Sequence, residues 1–207
     1  MTAELDFISY AQPPREAGQP ILLLLHGTGG NERSLLPLAE ALAPGAGILA
    51  PRGKVLEHGM PRFFRRLREG VFDLPDLHAR THELAGFVET ALASQGTNNL
   101  IAVGYSNGAN IGASLLLQHP TLLRGAILFR PMVPFEPEEL PNLAGRGVLI
   151  TAGEFDQMVP SAQAQRLATL LESAGARVSA HLLPADHGLT NADISLARQW
   201  LAGGRPT

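Results

Sequence analysis

Short runs of consecutive apolar residues alternate along this chain with longer stretches in which apolar residues recur every three or four positions. The runs Ile21–Leu25, Gly47–Ala50, Leu100–Val103, Arg124–Phe129, Gly147–Thr151 and Val178–Leu183 have the length of strands buried on both faces. Between them, helical spacing marks 31–43, with Leu35, Leu38, Ala39 and Leu42 on one face, and 76–94, with Leu77, Leu84, Val88 and Leu92. It recurs over 109–118, 161–174 and 191–202, the last carrying Ile194, Ala197 and Trp200. Leu5 to Tyr10 alternates apolar and polar residues and is expected to form an edge strand.

Strands alternating with helices throughout predict an α/β fold with a mainly parallel sheet covered by helices on both faces. No linker, repeat or low-complexity tract interrupts the rhythm, so residues 1–207 are expected to form a single domain. Only Pro51 to Asp73 breaks the pattern, and it is expected to be irregular. It sets Met60, Phe63, Phe64, Leu67 and Phe72 beside Arg62, Arg65, Arg66 and Arg68. Its aromatics either wall a substrate cleft or plug the core; most of its arginines are expected to face solvent.

The segment that declares a chemistry follows the run at Leu100. Gly104-Tyr105-Ser106-Asn107-Gly108 is a G-x-S-x-G pentapeptide between a buried strand and a helix rich in small residues. The pentapeptide alone is weak, because a glycine-rich turn can carry a capping serine. Strand, serine-bearing turn and helix together form the nucleophile elbow of the α/β hydrolases. The sharp turn lifts the Ser106 hydroxyl out of the sheet, and the N–H of Asn107 points to where negative charge develops on a substrate.

The loop after Ile21–Leu25 reads His26-Gly27-Thr28-Gly29-Gly30-Asn31. It lacks the Lys-Ser/Thr of a P-loop, and in this fold the same loop supplies a second oxyanion N–H, here from Thr28. His26, at a strand end, reads as structural. The chain order of the fold is serine, acid, histidine. Asp156 follows the strand ending at Thr151 and is preferred, with Val159-Pro160 fixing the chain beyond it; Glu154 on the same loop is the competing acid. His181 falls inside a strand, whereas His187 lies on the loop before the last helix and is expected to be the base. Asp186 and Asp193 come too late in the order. The loop at Pro131-Met132-Val133-Pro134 leaves the carboxyl end of a strand, where open α/β sheets bind ligands.

These motifs resemble the phospholipase/carboxylesterase family of α/β hydrolases, which includes acyl-protein thioesterases. The likeness runs from about Ile21 to Trp200. It rests on Leu25-His26-Gly27-Thr28-Gly29-Gly30, the elbow, Asp156 with Val159-Pro160, and His187-Gly188. Pro51-Arg52-Gly53, the stretch from Gly59 to Arg66 and Pro131–Pro134 are similar to a narrower branch of small bacterial carboxylesterases, some linked to quinone or hydroquinone stress. The resemblance implies Ser106, Asp156 and His187 as catalytic triad, Thr28 and Asn107 as oxyanion hole, and a serine hydrolase of carboxylic esters acting through an acyl-enzyme. The wider family often has Gln where Asn107 stands and His-Gly where Ala152-Gly153 stands; both departures bear on acyl-chain specificity, so simple esters are favoured over lipid acyl groups. Phe63 and Phe64 are expected to wall one side of a shallow substrate cleft, and Met132 and Val133 another, with no large cap domain. The rival readings are a thioesterase or lysophospholipase on the same triad, and a non-catalytic binding protein on the same fold.

Composition narrows the partners. A net charge of −3 gives no reason to expect nucleic acid. There is no cysteine, hence no disulfide and no thiol nucleophile; among the seven histidines His78 and His82 stand four apart but no H-E-x-x-H pair occurs, and neither metal nor cofactor is expected. The N-terminus, MTAELDF, lacks the basic start and apolar core of a secretory signal, and no apolar run approaches a membrane span. A cytoplasmic enzyme acting on a small-molecule ester, without membrane insertion, is the expectation; the sequence leaves a homodimer open.

Overall fold

The apolar runs assemble into a seven-stranded sheet. The computed structural model describes residues 7–93 and 99–203. In chain order its elements are β1 (Ser9–Gln12), β2 (Ile21–Leu25), α1 (Leu36–Leu42), β3 (Gly47–Pro51), β4 (Val55–Glu57), β5 (Met60–Arg62), β6 (Arg66–Arg68) and β7 (Val71–Phe72). There follow α2 (Leu74–Ala93), β8 (Leu100–Tyr105), α3 (Asn107–Gln118), β9 (Gly125–Phe129), β10 (Gly147–Gly153), α4 (Ser161–Ser173), β11 (Arg177–Leu183) and α5 (Asn191–Gly203). The sheet runs β1-β3-β2-β8-β9-β10-β11; β1 is antiparallel to β3 and the remaining pairs are parallel.

Both faces are covered, so the central strands carry unbroken apolar runs. All five residues of β2 and of β9 are buried. Removing one leucine or isoleucine side chain from water stabilises the fold by about 1.5–3 kcal/mol. On one face Leu23, Leu25 and Leu128 pack with Leu77, Leu84 and Val88 of α2, Leu115 and Leu116 of α3, and Leu167 and Leu171 of α4. On the other, Leu22, Leu24, Val103 and Ile127 meet Ala39 and Leu42 of α1 and Ala197 of α5.

From β2 the chain passes to β3 on one side, and β8 later docks on the other, at Leu25↔Gly104. That reversal is the switch point at which open parallel sheets leave a crevice beyond their carboxyl ends. The glycine-rich loop after β2 and the elbow after β8 meet there.

Three expectations need correction. The edge strand lies at Ser9–Gln12 rather than 5–10, of which residues 5 and 6 fall outside the described residues. Helix α1 starts at Leu36, not at residue 31. Asn31 Oδ1 accepts the N–H of Arg33 at 2.8 Å and Ser34 Oγ accepts the N–H of Asn31 at 2.9 Å, which holds this stretch in turns. Pro37, which tolerates only the first turn of a helix, then sets the start. The Pro51–Asp73 stretch is also not irregular: it folds into two hairpins, β4–β5 and β6–β7. The first turns on His58-Gly59, both with positive φ (51° and 80°), the requirement of a two-residue primed turn. Strands of two or three residues are too short for periodicity to reveal.

Candidate active site

Ser106 sits between β8 and α3 with φ 53° and ψ −115°, a conformation that costs a non-glycine residue on the order of 1–3 kcal/mol. Its N–H donates to the carbonyl of Phe129 on β9 at 2.9 Å, which ties the strained turn to the next strand. Close packing over-determines the geometry. A Cβ on Gly108 would lie 1.9 Å from the carbonyl oxygen of Leu25, so the start of α3 can cross β2 only with glycine there. Glycine serves here for space, not for a positive φ.

His187 lies on the loop between β11 and α5 and reaches back over the elbow. Its Nε2 is 3.0 Å from Ser106 Oγ, and its Nδ1 is 2.7 Å from Asp156 Oδ2. The Asp156 side chain is 1% exposed, and its other oxygen, Oδ1, accepts the N–H groups of Met158 and Val159, each at 2.9 Å. Burial disfavours its charge, but the bond to His187 and those two N–H groups outweigh burial and hold the carboxyl below the usual carboxylate range. Ionised Asp156 fixes the His187 proton on Nδ1 and leaves Nε2 as an acceptor facing the serine hydroxyl. Glu154 is exposed on the same loop and is not the acid that His187 meets. A Cβ on Gly153 would come within 2.5 Å of the carbonyls of Ala185 and Asp186, so glycine lets the acid and histidine loops touch.

Thr28 and Asn107 leave the neighbouring strands β2 and β8, and neither backbone N–H has a partner among the described residues. The Asn107 side chain is buried; its Oδ1 accepts the N–H of Phe63 at 2.8 Å. Three residues on, Asn110 Oδ1 accepts the N–H of Met132 at 2.7 Å. Two asparagines in the first turn of α3 thus pin the loops on either side of the elbow. Met132 and Val133 are half-buried on the loop after β9.

Phe63 and Phe64 do not stand as open walls. They are 2% and 0% exposed; Phe63 packs on the His26 ring at 4.7 Å and Phe64 edge-on against Phe72 at 5.0 Å. Both lie on the bend between β5 and β6, outside the paired strands, so no alternation sends one of them outward, and each ring finds a partner in the core. The rim is taken instead by Met60, 42% exposed and lying over Gly29. Nor are all the nearby arginines solvated. Arg62 is buried, donates to Thr28 Oγ1 at 2.9 Å and pairs with Glu57 at 3.2 Å. His26 is structural: Nε2 accepts the N–H of Gly53 at 3.0 Å and Nδ1–H donates to the Gly27 carbonyl at 2.7 Å.

The sequence reading missed a buried network beside the histidine. Arg130 is 0% exposed and forms a two-pronged ion pair with Asp193 (2.7 and 3.0 Å), itself fully buried at the start of α5. Burial opposes the charge of Asp193, but Arg130, Thr151 and Thr190 overcome it and lower its pKa. A faint signal existed: a charged residue closing an otherwise apolar strand, just before Pro131.

An apolar hollow of about 200 Å³, lined by Leu42, Ile101 and Trp200, lies at the opposite, amino-terminal edge of the sheet from Ser106. No group of three metal-ligating side chains is found among the described residues. No helix among them is long and apolar enough to cross a membrane.

Comparison with known proteins gives the family and the fold. Residues 76–199 match the dienelactone hydrolase family, a span that holds Ser106, Asp156 and His187 but stops short of Thr28. MhqD of Bacillus subtilis (strain 168), a protein carrying the name of a hydrolase, is 49% identical over 182 residues, 87% of this chain and 91% of its own. The carboxylesterase of Bacillus cereus superposes with a TM-score of 0.90 at 49% identity, covering 93% of this chain and 92% of that one. That of Mesorhizobium loti gives 0.84 at 38% identity, covering 89% and 88%. The likeness to small bacterial carboxylesterases is thereby shown; the family description is dienelactone hydrolase, where the motifs suggested phospholipase/carboxylesterase.

Proposed function

The chain belongs to the dienelactone hydrolase family, and on that footing we propose that it hydrolyses carboxylic esters of small or short-chain substrates through a Ser106 acyl-enzyme. A hydrolase family, a relative named as a hydrolase and two solved relatives named as carboxylesterases support an esterase-type hydrolase. The finer reading rests on one observation: Asp156, His187 and Ser106 stand in a hydrogen-bonded line of 2.7 and 3.0 Å above a strained elbow.

In this mechanism His187 Nε2 takes the Ser106 proton as Oγ attacks the ester carbonyl, and Asp156 stabilises the imidazolium that forms. The N–H groups of Thr28 and Asn107 receive the oxyanion. His187 then returns its proton to the leaving alcohol, and water, deprotonated by the same imidazole, releases the acid. Small substrates are favoured because the rim consists of a short hairpin and the Met132–Val133 loop, with no separate helical cap among the described residues.

The test is a fluorophosphonate probe on the intact protein, followed by peptide mapping and a p-nitrophenyl ester assay. The adduct is expected on Ser106, and Ser106→Ala is expected to lose both labelling and turnover. Labelling that survives the substitution, or that maps to Ser34 or Ser161, overturns the assignment. Running acyl thioesters beside the esters separates the two leaving-group classes.

A further inference from the structure

Four consecutive carbonyls carry His187 into place, and each is held by a hydrogen bond. The carbonyl of Ala185 accepts the N–H of Phe155 at 3.0 Å. That of Asp186 accepts Arg130 Nε–H at 3.1 Å, and that of Gly188 accepts an Arg130 Nη2 proton at 2.8 Å. Between them the carbonyl of His187 accepts the hydroxyl of Tyr105 at 3.1 Å.

The guanidinium is fully committed. Nε–H holds the Asp186 carbonyl; Nη1 donates to Thr151 Oγ1 (2.9 Å) and Asp193 Oδ1; Nη2 donates to the Gly188 carbonyl and Asp193 Oδ2. All five donors of the fork are thus used. Asp193 is equally committed, since it also accepts Thr151 Oγ1 at 2.6 Å and both the N–H and the hydroxyl of Thr190. The backbone is bent to permit this. Arg130 has φ 55°, and its N–H donates to the carbonyl of Thr151, as that of Ser106 does to Phe129 one strand earlier. The end of β9 therefore makes a second left-handed turn, which aims a guanidinium under the histidine loop as the first aims a hydroxyl at the histidine ring.

We propose that Arg130, with Tyr105, is a positioning residue for the hydrolysis: the two side chains grip the loop backbone on both sides of His187 and hold the imidazole between Asp156 and Ser106. The inference rests on the triad reading above. An ion pair needed only to fill the core would be complete with Asp193; the two prongs to the Asp186 and Gly188 carbonyls serve the loop. A lysine keeps the charge but cannot reach both carbonyls and the carboxylate at once.

Three variants test this: Tyr105→Phe, which removes a single hydroxyl; Arg130→Lys; and Arg130→Met/Asp193→Leu, which removes both buried charges together so that neither is stranded. Each is assayed for kcat and KM on p-nitrophenyl acetate, for melting temperature, and for the far-downfield proton resonance of the Asp156–His187 bond. Misplacing a catalytic group by about 1 Å can cost about 100-fold, so kcat is expected to fall roughly 10- to 100-fold in both arginine variants and about 3- to 10-fold in Tyr105→Phe, with KM within about threefold. The downfield resonance is expected to broaden or vanish in the arginine variants. A folded Arg130→Lys or paired variant that keeps kcat within about twofold and retains the resonance overturns the proposal, and so does Tyr105→Phe at parental kcat should the arginine variants fail to fold. If Ser106→Ala itself retains turnover, the triad reading fails instead, which the same assay distinguishes.

Discussion

Replacing Asp156 by asparagine asks which acid orients His187, and the structure fixes what the replacement must do. Asp156 Oδ1 accepts two backbone N–H groups, from Met158 and Val159, so the amide oxygen of an asparagine has to take that position. The amide nitrogen is then forced towards His187 Nδ1, 2.7 Å from where Oδ2 now stands. Facing a donor, the imidazole must present Nδ1 as acceptor and carry its proton on Nε2. That tautomer donates towards Ser106 Oγ and cannot receive its proton. The carboxylate charge that balances the imidazolium is lost as well.

In the serine-protease template this change lowers turnover about 10⁴-fold, which corresponds to about 5.4 kcal/mol of barrier. Asp156→Asn is expected to lose kcat to that degree on p-nitrophenyl acetate, with an unchanged circular dichroism spectrum. Exposed Glu154 makes no such contact, so Glu154→Gln is expected to stay within about twofold. A loss below about tenfold in Asp156→Asn, or equal losses in the two variants, refutes the tautomer argument and with it the triad as drawn.

Phe64→Ala opens a cavity in a fully buried site and is expected to cost about 3–5 kcal/mol, lowering Tm by roughly 6–20 °C, without altering acyl-chain preference; an unchanged melt with a shifted preference would restore Phe64 as a cleft wall. Burial lowers the pKa of His26 below its ordinary 6.5, against the opposing pull of the Gly27 carbonyl. Between that lowered value and 6.5 the unfolded chain binds a proton that the native state does not, so stability falls as pH drops through this window. Urea unfolding at about pH 7.5 and about pH 5.5 is expected to show a smaller loss in His26→Gln than in the parent, and an equal loss removes His26 from the account. Across p-nitrophenyl esters, kcat/KM is expected to peak at acyl chains of about two to six carbons, because an open rim rewards each methylene by about 0.8 kcal/mol only while it stays covered; a steady rise to palmitoyl favours a lipid substrate.

The sheet was legible because its central strands are buried on both faces, so Ile21–Leu25 and Leu100–Val103 show as unbroken apolar runs. Ser106 was legible because the elbow needs particular residue types at fixed spacing, and His187 because the fold imposes a chain order; Asp156 stayed in competition with Glu154 on the same loop until the family resemblance was added. What escaped was set by contacts between segments remote in sequence. Phe63 and Phe64 look alike as cleft wall or core plug until the fold sets His26 against one ring and Phe72 against the other, on a bend that follows the hairpin turn at His58-Gly59. That turn uses a histidine where the strong signals are asparagine or aspartate. Nothing local marks Asp193, 63 positions beyond Arg130, as the partner of that arginine.

The buried polar residues divide by what they hold. Thr81 and Ser114 join α2 to α3 in the middle of their helices, with hydroxyls 2.7 Å apart. His26, Arg62, Asn107, Asn110, Arg130, Thr151 and Asp193 instead gather near the carboxyl ends of the strands and the loops that leave them. An unpaired buried polar group costs about 1–3 kcal/mol, so the hydrogen bonds that these residues make resist displacement, although the buried Nδ2 of Asn107 has no partner among the described residues. Apolar packing tolerates small shifts between strands and helices; a hydrogen bond of 2.7–3.0 Å does not. A site that must hold a histidine within reach of both a serine and a carboxylate, on three different loops, therefore needs polar fasteners where the rest of the molecule needs only leucine. Arg130 is the clearest case: five donors spent on one strand end, one helix start and both flanks of the histidine.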